Sequence, residues 1–452
     1  MSSSRTIAAL GFPMLLGALS ASLSGVIDTA MMGRFGPADL AAVAGTSAVF
    51  DIFANVVLAA MVSYQILAPR FAGRKDPAGI RRSLASALRW CGGAAILLTV
   101  VTYAAGGWLS GLVSGGDEQV RQIGADYLAT RAPTLLLIVP FTLLTASLNA
   151  YGETRYAALA SIVVNAANLG LDAALIYGPG PFPRLGAAGN GLATTLAWLI
   201  GLACLAVSAR RFGLWRRLGA SGPALPPPDF ETSVPRLAWP AVVSNGLDYA
   251  GMAVFFAILG SVGTTALAGG RVAFEITLFL FGIGMSFGAA ARILIGRSAG
   301  AEDPAAVRGL WSAGRGVLLV PAVLIALLLV VFAHPVAGIF TSFADVREQT
   351  VTVLPLVALC VPLMALTLGN LSLIRALGHT RKDMYANLAA ALLVQLPVGW
   401  LGATATGWGL RGAFLGVLAY WLARAVFTEI VARRLLPVPS EPTPLQAKET
   451  VR

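Results

Sequence analysis

Charge, histidine and cysteine are all scarce in this sequence. Only 12% of its 452 residues are charged, while 57% are hydrophobic. A water-soluble domain carries about 25% charged residues, so this chain has too few to coat a surface facing water. Its two histidines, His334 and His379, lie far apart and have no ligand-spaced partners. That argues against a zinc centre. The three cysteines, Cys91, Cys204 and Cys360, each sit inside an apolar run. They read as helix-packing residues, not as a disulfide or metal framework. No cluster of His, Cys or paired acids accompanies a nucleophile, so the chain is expected not to be an enzyme and to need no cofactor.

Long apolar runs are abundant. Crossing a bilayer takes about 20 apolar residues in a helix. Twelve segments reach or approach that length: 7–32, 40–68, 84–112, 126–150, 155–178 and 187–210, then 234–260, 266–296, 310–340, 347–375, 383–405 and 410–435. The expected class is therefore an all-α membrane protein of twelve transmembrane helices. The opening stretch has the look of a secretory leader, but the apolar run continues to Asp28. We expect it to be kept as the first span.

The net charge of +11 does not point to nucleic acid, because the basic residues cluster in short gaps between apolar runs. Arg70, Arg74, Lys75, Arg81 and Arg82 lie between segments two and three. Arg210, Arg211, Arg216 and Arg217 lie between six and seven, Arg297 and Arg308 between eight and nine, and Arg375, Arg381 and Lys382 between ten and eleven. The alternate gaps hold one basic residue or none. Under the positive-inside rule both termini face the cytoplasm, in a multi-pass protein of the bacterial inner (plasma) membrane.

An internal repeat organises the chain. At a shift of 227 residues Pro13 falls on Pro240, Gly33 on Gly260, Arg70 on Arg297, Gly73 on Gly300, Asp76–Pro77 on Asp303–Pro304 and Arg81 on Arg308. At a shift of 226, Gly152-Glu153-Thr154-Arg155 meets Gly378-His379-Thr380-Arg381. The organisation expected is a first lobe over 1–210, a proline-rich cytoplasmic loop over 211–233, a second lobe over 234–436 and a flexible cytoplasmic tail over 437–452. An even number of spans per half makes the repeats parallel, related by a pseudo-two-fold axis along the membrane normal. Such repeats place a substrate site at their interface and expose it alternately to each side.

Ionisable residues inside the spans are functional candidates, since a charge at mid-bilayer costs about 2.5–3.5 kcal/mol on insertion scales. Asp28 lies in segment one. In segment five, Asn165, Asn168 and Asp172 fall three and four apart, on one helical face. A buried carboxylate holds its proton more tightly than one in water, and a second carboxylate nearby strengthens that hold. The amides can donate to an ionised acid or offer carbonyl oxygens to sodium. Thr194 in segment six can add a hydroxyl. This set reads as a proton or sodium site; the plain alternative is polar glue between helices.

In the second half Asp28 maps onto Phe255, and Asp172 has no acidic counterpart. Ion coupling is therefore expected in the first half. Asp248 is placed to line a cavity. Glu275 either lines it too or pairs with Arg271, four residues before it. Asp51 in segment two stands undecided. Pro13 removes a backbone hydrogen bond early in the first helix, which makes it a kink that gates the site or a harmless membrane proline. Met31, Phe53, Tyr64, Phe255, Phe256 and Phe279 are apolar residues that either pack the core or offer an adaptable cavity wall.

Several motifs together resemble the multidrug and toxic compound extrusion (MATE) family, over residues 7 to 435. They are Pro13 followed by V-I-D-T-A-M-M-G-R-F-G-P-A-D-L-A-A-V, then L-A-P-R-F-A-G-R-K-D-P, L-N-A-Y-G-E-T-R, N-A-A-N-L-G-L-D and G-N-G-L-A-T-T. The second half contributes L-A-G-G-R-V-A-F-E-I, L-I-G-R-S-A-G-A-E-D-P and L-I-R-A-L-G-H-T-R. The acids of the first lobe are similar to the branch named for the DNA-damage-inducible F protein. The resemblance implies a V-shaped, two-lobed, twelve-helix antiporter. It implies export of cationic or amphipathic small molecules against protons, or sodium in some members, and site residues at Asp28, Asn168, Asp172 and Thr194. A monomer in the bilayer is expected. A lipid-linked precursor flippase is the rival reading; it would want basic residues within the spans, and few stand out there.

Overall fold

A computed structural model describes residues 3–179, 181–220 and 228–436. Twelve helices in it are long and apolar enough to cross a membrane: α1 Ser3–Phe35, α2 Pro37–Gly73, α3 Pro77–Gly111, α4 Glu118–Ala150, α5 Thr154–Tyr177, α6 Ala187–Phe212, α7 Val234–Val262, α8 Thr264–Gly300, α9 Pro304–Val331, α10 Ala344–Ala376, α11 Thr380–Ala405 and α12 Gly409–Leu435. Short helices Leu214–Gly219 and Ala333–Phe340 join them. Of the proline-rich loop, Pro223, Pro226 and Pro227 lie outside the described residues, as does the expected tail over 437–452.

Two spans differ most from the reading of the apolar runs. The fourth begins at Glu118, eight residues before the expected start at 126, and is built from Glu118–Arg131 and Thr134–Ala150. Asp117 caps its first turn by accepting from the backbone of Gln119 and Val120, which lets a polar stretch fold as helix. Pro133 marks the junction between the two pieces, where its missing N–H cannot continue the ladder. The ninth span stops at Val331 and a separate short helix follows. Pro335 lies in the first turn of that helix, the place where a missing N–H costs nothing.

The repeat is visible in the loops. Asp76 caps α3 through the backbone N–H of Gly79 at 2.7 Å, and Asp303 caps α9 through that of Ala306 at 2.9 Å. Pro77 and Pro304 open those helices. The residues just before the caps, Lys75 and Glu302, share the same φ of 57°.

Buried apolar residues gather in two large clusters that follow the halves. One runs from Met32 to Leu237, the other from Phe255 to Trp421. Between halves, Ile7 of α1 packs with Ala290 and Ala291 of α8. The ends of α2 and α8 approach at backbone distance. A Cβ on Gly73 would lie 1.9 Å from the Arg297 carbonyl oxygen, and one on Gly300 would lie 1.9 Å from that of Arg70. Arg70 reaches on to Gly378, and Arg297 to Gly152. Each of these pairs exchanges repeat-equivalent positions. Gln65 and Arg292, 227 residues apart, meet each other through a 2.8 Å hydrogen bond. The halves are thus joined at the end that carries the basic loops.

Candidate functional site

α1 and α5 are bridged by three polar rungs. Asn165 Nδ2 donates to Ser20 Oγ at 2.8 Å, and Ser24 Oγ donates to Asn168 Oδ1 at 3.1 Å. One turn further, Asp28 and Asp172 stand within hydrogen-bonding reach of each other. The rungs repeat because residues four apart on α1 (20, 24, 28) face residues three and four apart on α5 (165, 168, 172), the spacing of one helical face. α6 closes the third side. Asn190 Nδ2 donates to Asp172 Oδ1 at 3.0 Å, Asn168 Nδ2 points to Thr194 Oγ1 at 3.5 Å, and Thr194 donates to the Asn190 carbonyl at 3.0 Å.

Asn190 was not singled out in the sequence, although it stands in the quoted G-N-G-L-A-T-T. The flanking glycines explain how it reaches the acid. A Cβ on Gly189 would meet the Leu175 carbonyl of α5 at 2.4 Å, and one on Gly191 the Tyr127 carbonyl of α4 at 2.8 Å. Only glycine permits that approach. Asn190→Leu is expected to lower transport several-fold while leaving the amount of folded protein unchanged, because it removes an amide donating to Asp172. Normal transport by that variant, compared in vesicles at equal protein abundance, would remove Asn190 from the site.

Asp172 is fully buried. Its Oδ2 and Asp28 Oδ1 are buried without a hydrogen-bond donor. Two ionised carboxylates cannot hydrogen-bond to each other, because each is only an acceptor. One proton held between them supplies the donor that both oxygens lack. The geometry is that of a carboxylate pair able to hold and release a proton.

These residues border a cavity of about 440 Å³. Asp28, Asn165, Asn168 and Thr194 line it, with Asn190. So do two groups from neighbouring helices, Asp51 of α2 and Arg131 of α4. Arg131 Nη2 lies 3.3 Å from Asp51 Oδ1, which settles Asp51 as an ion-paired member of the cavity wall. Sequence reasoning missed Arg131. The signal was present, since an arginine stood five residues inside the fourth apolar run, and intramembrane arginines are costly enough to be candidates by default.

Four of the apolar residues weighed as a cavity wall pack elsewhere. Tyr64 is fully buried in the first-half core and shares a 2.7 Å hydrogen bond with Ser147. Phe255 is 2% exposed and stacks among Phe256, Phe274 and Phe414. Met31 and Phe53 are half-buried against the first-half core. Met32, next to Met31 in sequence, is the methionine on the cavity. A helix turns about 100° per residue, so one position decides which side a residue takes. Tyr64→Phe should cost about 0.6–1.5 kcal/mol, the worth of one buried hydrogen bond, and leave transport intact. Thermal unfolding in detergent and a transport assay check the two halves of that statement.

The second half holds a polar cluster of its own. Asp248 accepts from Asn387 Nδ2 at 2.6 Å, Tyr420 donates to Asn387 Oδ1 at 2.7 Å, and Arg424 donates to Tyr420 at 2.9 Å. Arg424 and Arg375 both pair with Asp383, at 2.8 and 2.7 Å. Asp248, Tyr420 and Arg424 border a cavity of about 200 Å³ with Phe274, Phe281 and Trp421. Glu275 is not part of it. It pairs with Arg271 at 3.0 Å, with both side chains about half exposed. Basic residues within the spans are also more numerous than the sequence reading held: Arg131, Arg292, Arg315, Arg375 and Arg424 all lie there. Four of them are bound into ion pairs, with Asp51, Glu429 or Asp383.

Pro13 lies inside α1, two residues from Gly11, whose Cβ position is 2.5 Å from the Phe287 ring of α8. It stands beside the contact between the halves, 15 residues from Asp28. Among the described residues, no group of three His, Cys, Asp or Glu is placed to hold a metal ion.

The MatE family profile matches residues 13–173 and 240–401, one match in each half. A "probable multidrug resistance protein NorM" of Mannheimia succiniciproducens is 26% identical over 439 residues, covering 95% of this chain and 91% of the relative. One of the same name from Bradyrhizobium diazoefficiens is 29% identical over 434 residues, covering 90% and 88%. The crystal structure of the Vibrio cholerae MATE transporter VcmN in its bent form shares the fold. It has a TM-score of 0.85 at 22% identity, covering 96% of this chain and 97% of that one. With twelve apolar helices in two repeated halves and a profile match in each, this multi-pass membrane protein belongs to the MatE family, whose members are transporters and not enzymes.

Proposed function

We propose that the chain is a secondary antiporter that exports cationic or amphipathic drugs and metabolites in exchange for protons. The observation that carries this reading is the adjacent carboxylate pair, Asp28 and Asp172, whose buried oxygens lack a donor, beside a cavity in the membrane. A proton on the pair neutralises it; loss of the proton leaves an anion that must be stabilised by a cation, by Asn190 or by a change of helix packing. Alternating access follows if the two protonation states favour different arrangements of the halves. Pro13, between Asp28 and the contact with α8, is the proposed point where α1 bends.

The substrate class rests on the relatives, which are named as multidrug resistance proteins. The placement of the acids in the first half supports the branch named for the DNA-damage-inducible F protein. The clustering of arginine and lysine in alternate gaps supports cytoplasmic termini in an inner (plasma) membrane. In that orientation the joined end faces the cytoplasm and the cavity opens outward. We take the working unit to be one chain, with no resident cofactor and with the proton as coupling ion.

The test is export by purified protein in liposomes. With ethidium as substrate, an imposed pH gradient is expected to drive accumulation, and collapse of the gradient by a protonophore is expected to release it. Accumulation that ignores both the pH gradient and the membrane potential would end the antiport reading.

A further inference from the structure

Arg131 shares the cavity with Asp28 of the carboxylate pair, and proton exchange at the pair makes no use of it. It ends the first stretch of α4, at a point about 20 Å along that span from Glu118. The free carbonyls of a helix end favour a cation there. The guanidinium is held in place from several sides. Nη1 donates to the Tyr127 hydroxyl, Nη2 pairs with Asp51, and the group lies 4.4 Å over the Phe50 ring. Tyr127 and Phe50 are only 1% and 2% exposed. Arg131 is therefore a fixed positive charge, clamped by two packed aromatic rings.

We infer that Arg131 determines which ion drives transport, by making the carboxylate site accept protons and reject sodium. This rests on the ion-coupled reading proposed above and deepens it. The ionisable groups facing the site among the described residues are Asp28 of α1, Asp51 of α2, Tyr127 and Arg131 of α4, and Asp172 of α5; α6 presents uncharged residues, Asn190, Thr194, Ala197 and Trp198. A proton needs one oxygen, to which it binds covalently. It is then shared across the hydrogen bond between Asp28 and Asp172. A hard metal cation has a different requirement, since it sheds water only if several oxygens replace it. Some of the oxygens are already taken: Asn168 Oδ1 accepts from Ser24 and Asp172 Oδ1 from Asn190. Asp28 Oδ1 and Asp172 Oδ2, which have no donor, are the pair that a shared proton satisfies. Asp51, the third carboxylate, is tied to Arg131. Arg131 thus withdraws a ligand and adds a positive charge. With the pair sharing one proton, two negative charges remain against one guanidinium. Without the guanidinium, Asp51 is freed and the site becomes a cluster of three carboxylates with no fixed counter-charge.

The experiment uses the full chain in liposomes with ethidium as the transported cation, under either a pH gradient or a sodium gradient at equal pH. The unaltered protein is expected to respond to the pH gradient and to show only background movement with sodium. Arg131→Gln is expected to gain sodium-driven transport, and its thermal unfolding in detergent should rise in sodium chloride relative to potassium chloride. Arg131→Lys, which keeps the charge, should still reject sodium. Sodium-driven transport by the unaltered protein overturns the inference directly, whether or not the variants fold. An Arg131→Gln protein that folds, remains proton-driven and shows no sodium-dependent stabilisation also overturns it, while leaving the antiport reading standing. Failure of the unaltered protein under both gradients removes the antiport reading and this inference with it.

Discussion

Asp28→Asn and Asp172→Asn are each expected to abolish gradient-driven export while the protein still folds. Asparagine has the shape of aspartate and can donate a hydrogen bond to the remaining acid, so the α1–α5 rung survives. At Asp172, which is fully buried, the substitution also removes a charge that is costly to hold away from water. What is lost is the exchange of a proton. A membrane potential of 100 mV supplies about 2.3 kcal/mol per charge, and one pH unit about 1.4 kcal/mol per proton. Exchange against one proton therefore sustains a substrate gradient of roughly one to three decades. In both variants that gradient should fall to the level set by leak, while downhill movement persists. The measurement is steady-state ethidium accumulation in liposomes at equal protein load. Wild-type accumulation in either variant would falsify the assignment of that acid to the coupling site.

Gly73→Val and Gly300→Val should shift the protein away from the state in which its basic end is closed. The reason is steric and symmetric. Each Cβ position is 1.9 Å from a backbone carbonyl oxygen of the opposing half, on Arg297 or Arg70. A carbonyl cannot rotate out of the way as a side-chain tip does, so α2 and α8 must part. Overpacking of this kind typically costs about 1–3 kcal/mol, which corresponds to a shift in populations of about five- to 150-fold. Transport should slow because one half of the cycle is disfavoured. Spin labels on Arg82→Cys and Gly309→Cys, exposed positions that correspond in the repeat, should report a longer mean distance in the valine variants. An unchanged distance distribution would show that the closed end tolerates the added methyl groups and is not a steric latch.

Much of the molecule was legible in the sequence because its signals are local. A bilayer demands about 20 apolar residues per helix, so the twelve spans announce themselves, and the repeat shows in polar landmarks such as Asp76–Pro77 and Asp303–Pro304. The spacing of Asn165, Asn168 and Asp172 already placed them on one face. The boundaries that went furthest astray, at Glu118 and at Val331, lie where a side-chain cap extended a polar segment into a helix and where a second short helix, with Pro335 in its first turn, follows the ninth span.

The composition of the cavity wall was legible only in part. Met32 and not Met31 faces the cavity, Phe255 joins an aromatic core, and Glu275 turns outward to Arg271. These outcomes depend on helix rotation, which neighbours set through contacts far apart in sequence. Arg131 and Asn190 needed the same information, because their partners are Asp51, 80 residues away, and Asp172, 18 residues away.

By itself, then, the sequence determined that the chain crosses a membrane twelve times, in two halves that share matching polar marks although only the first carries the acids Asp28 and Asp172. Those properties follow from hydropathy and helical period, which act along the chain. Only the tertiary structure decided that an arginine from the fourth span shares a cavity with the carboxylates of the first and second, beside the buried carboxylate of the fifth. Which charges face one another is set by how helices approach, and here that approach hangs on glycines at helix contacts and a proline at the break in α4.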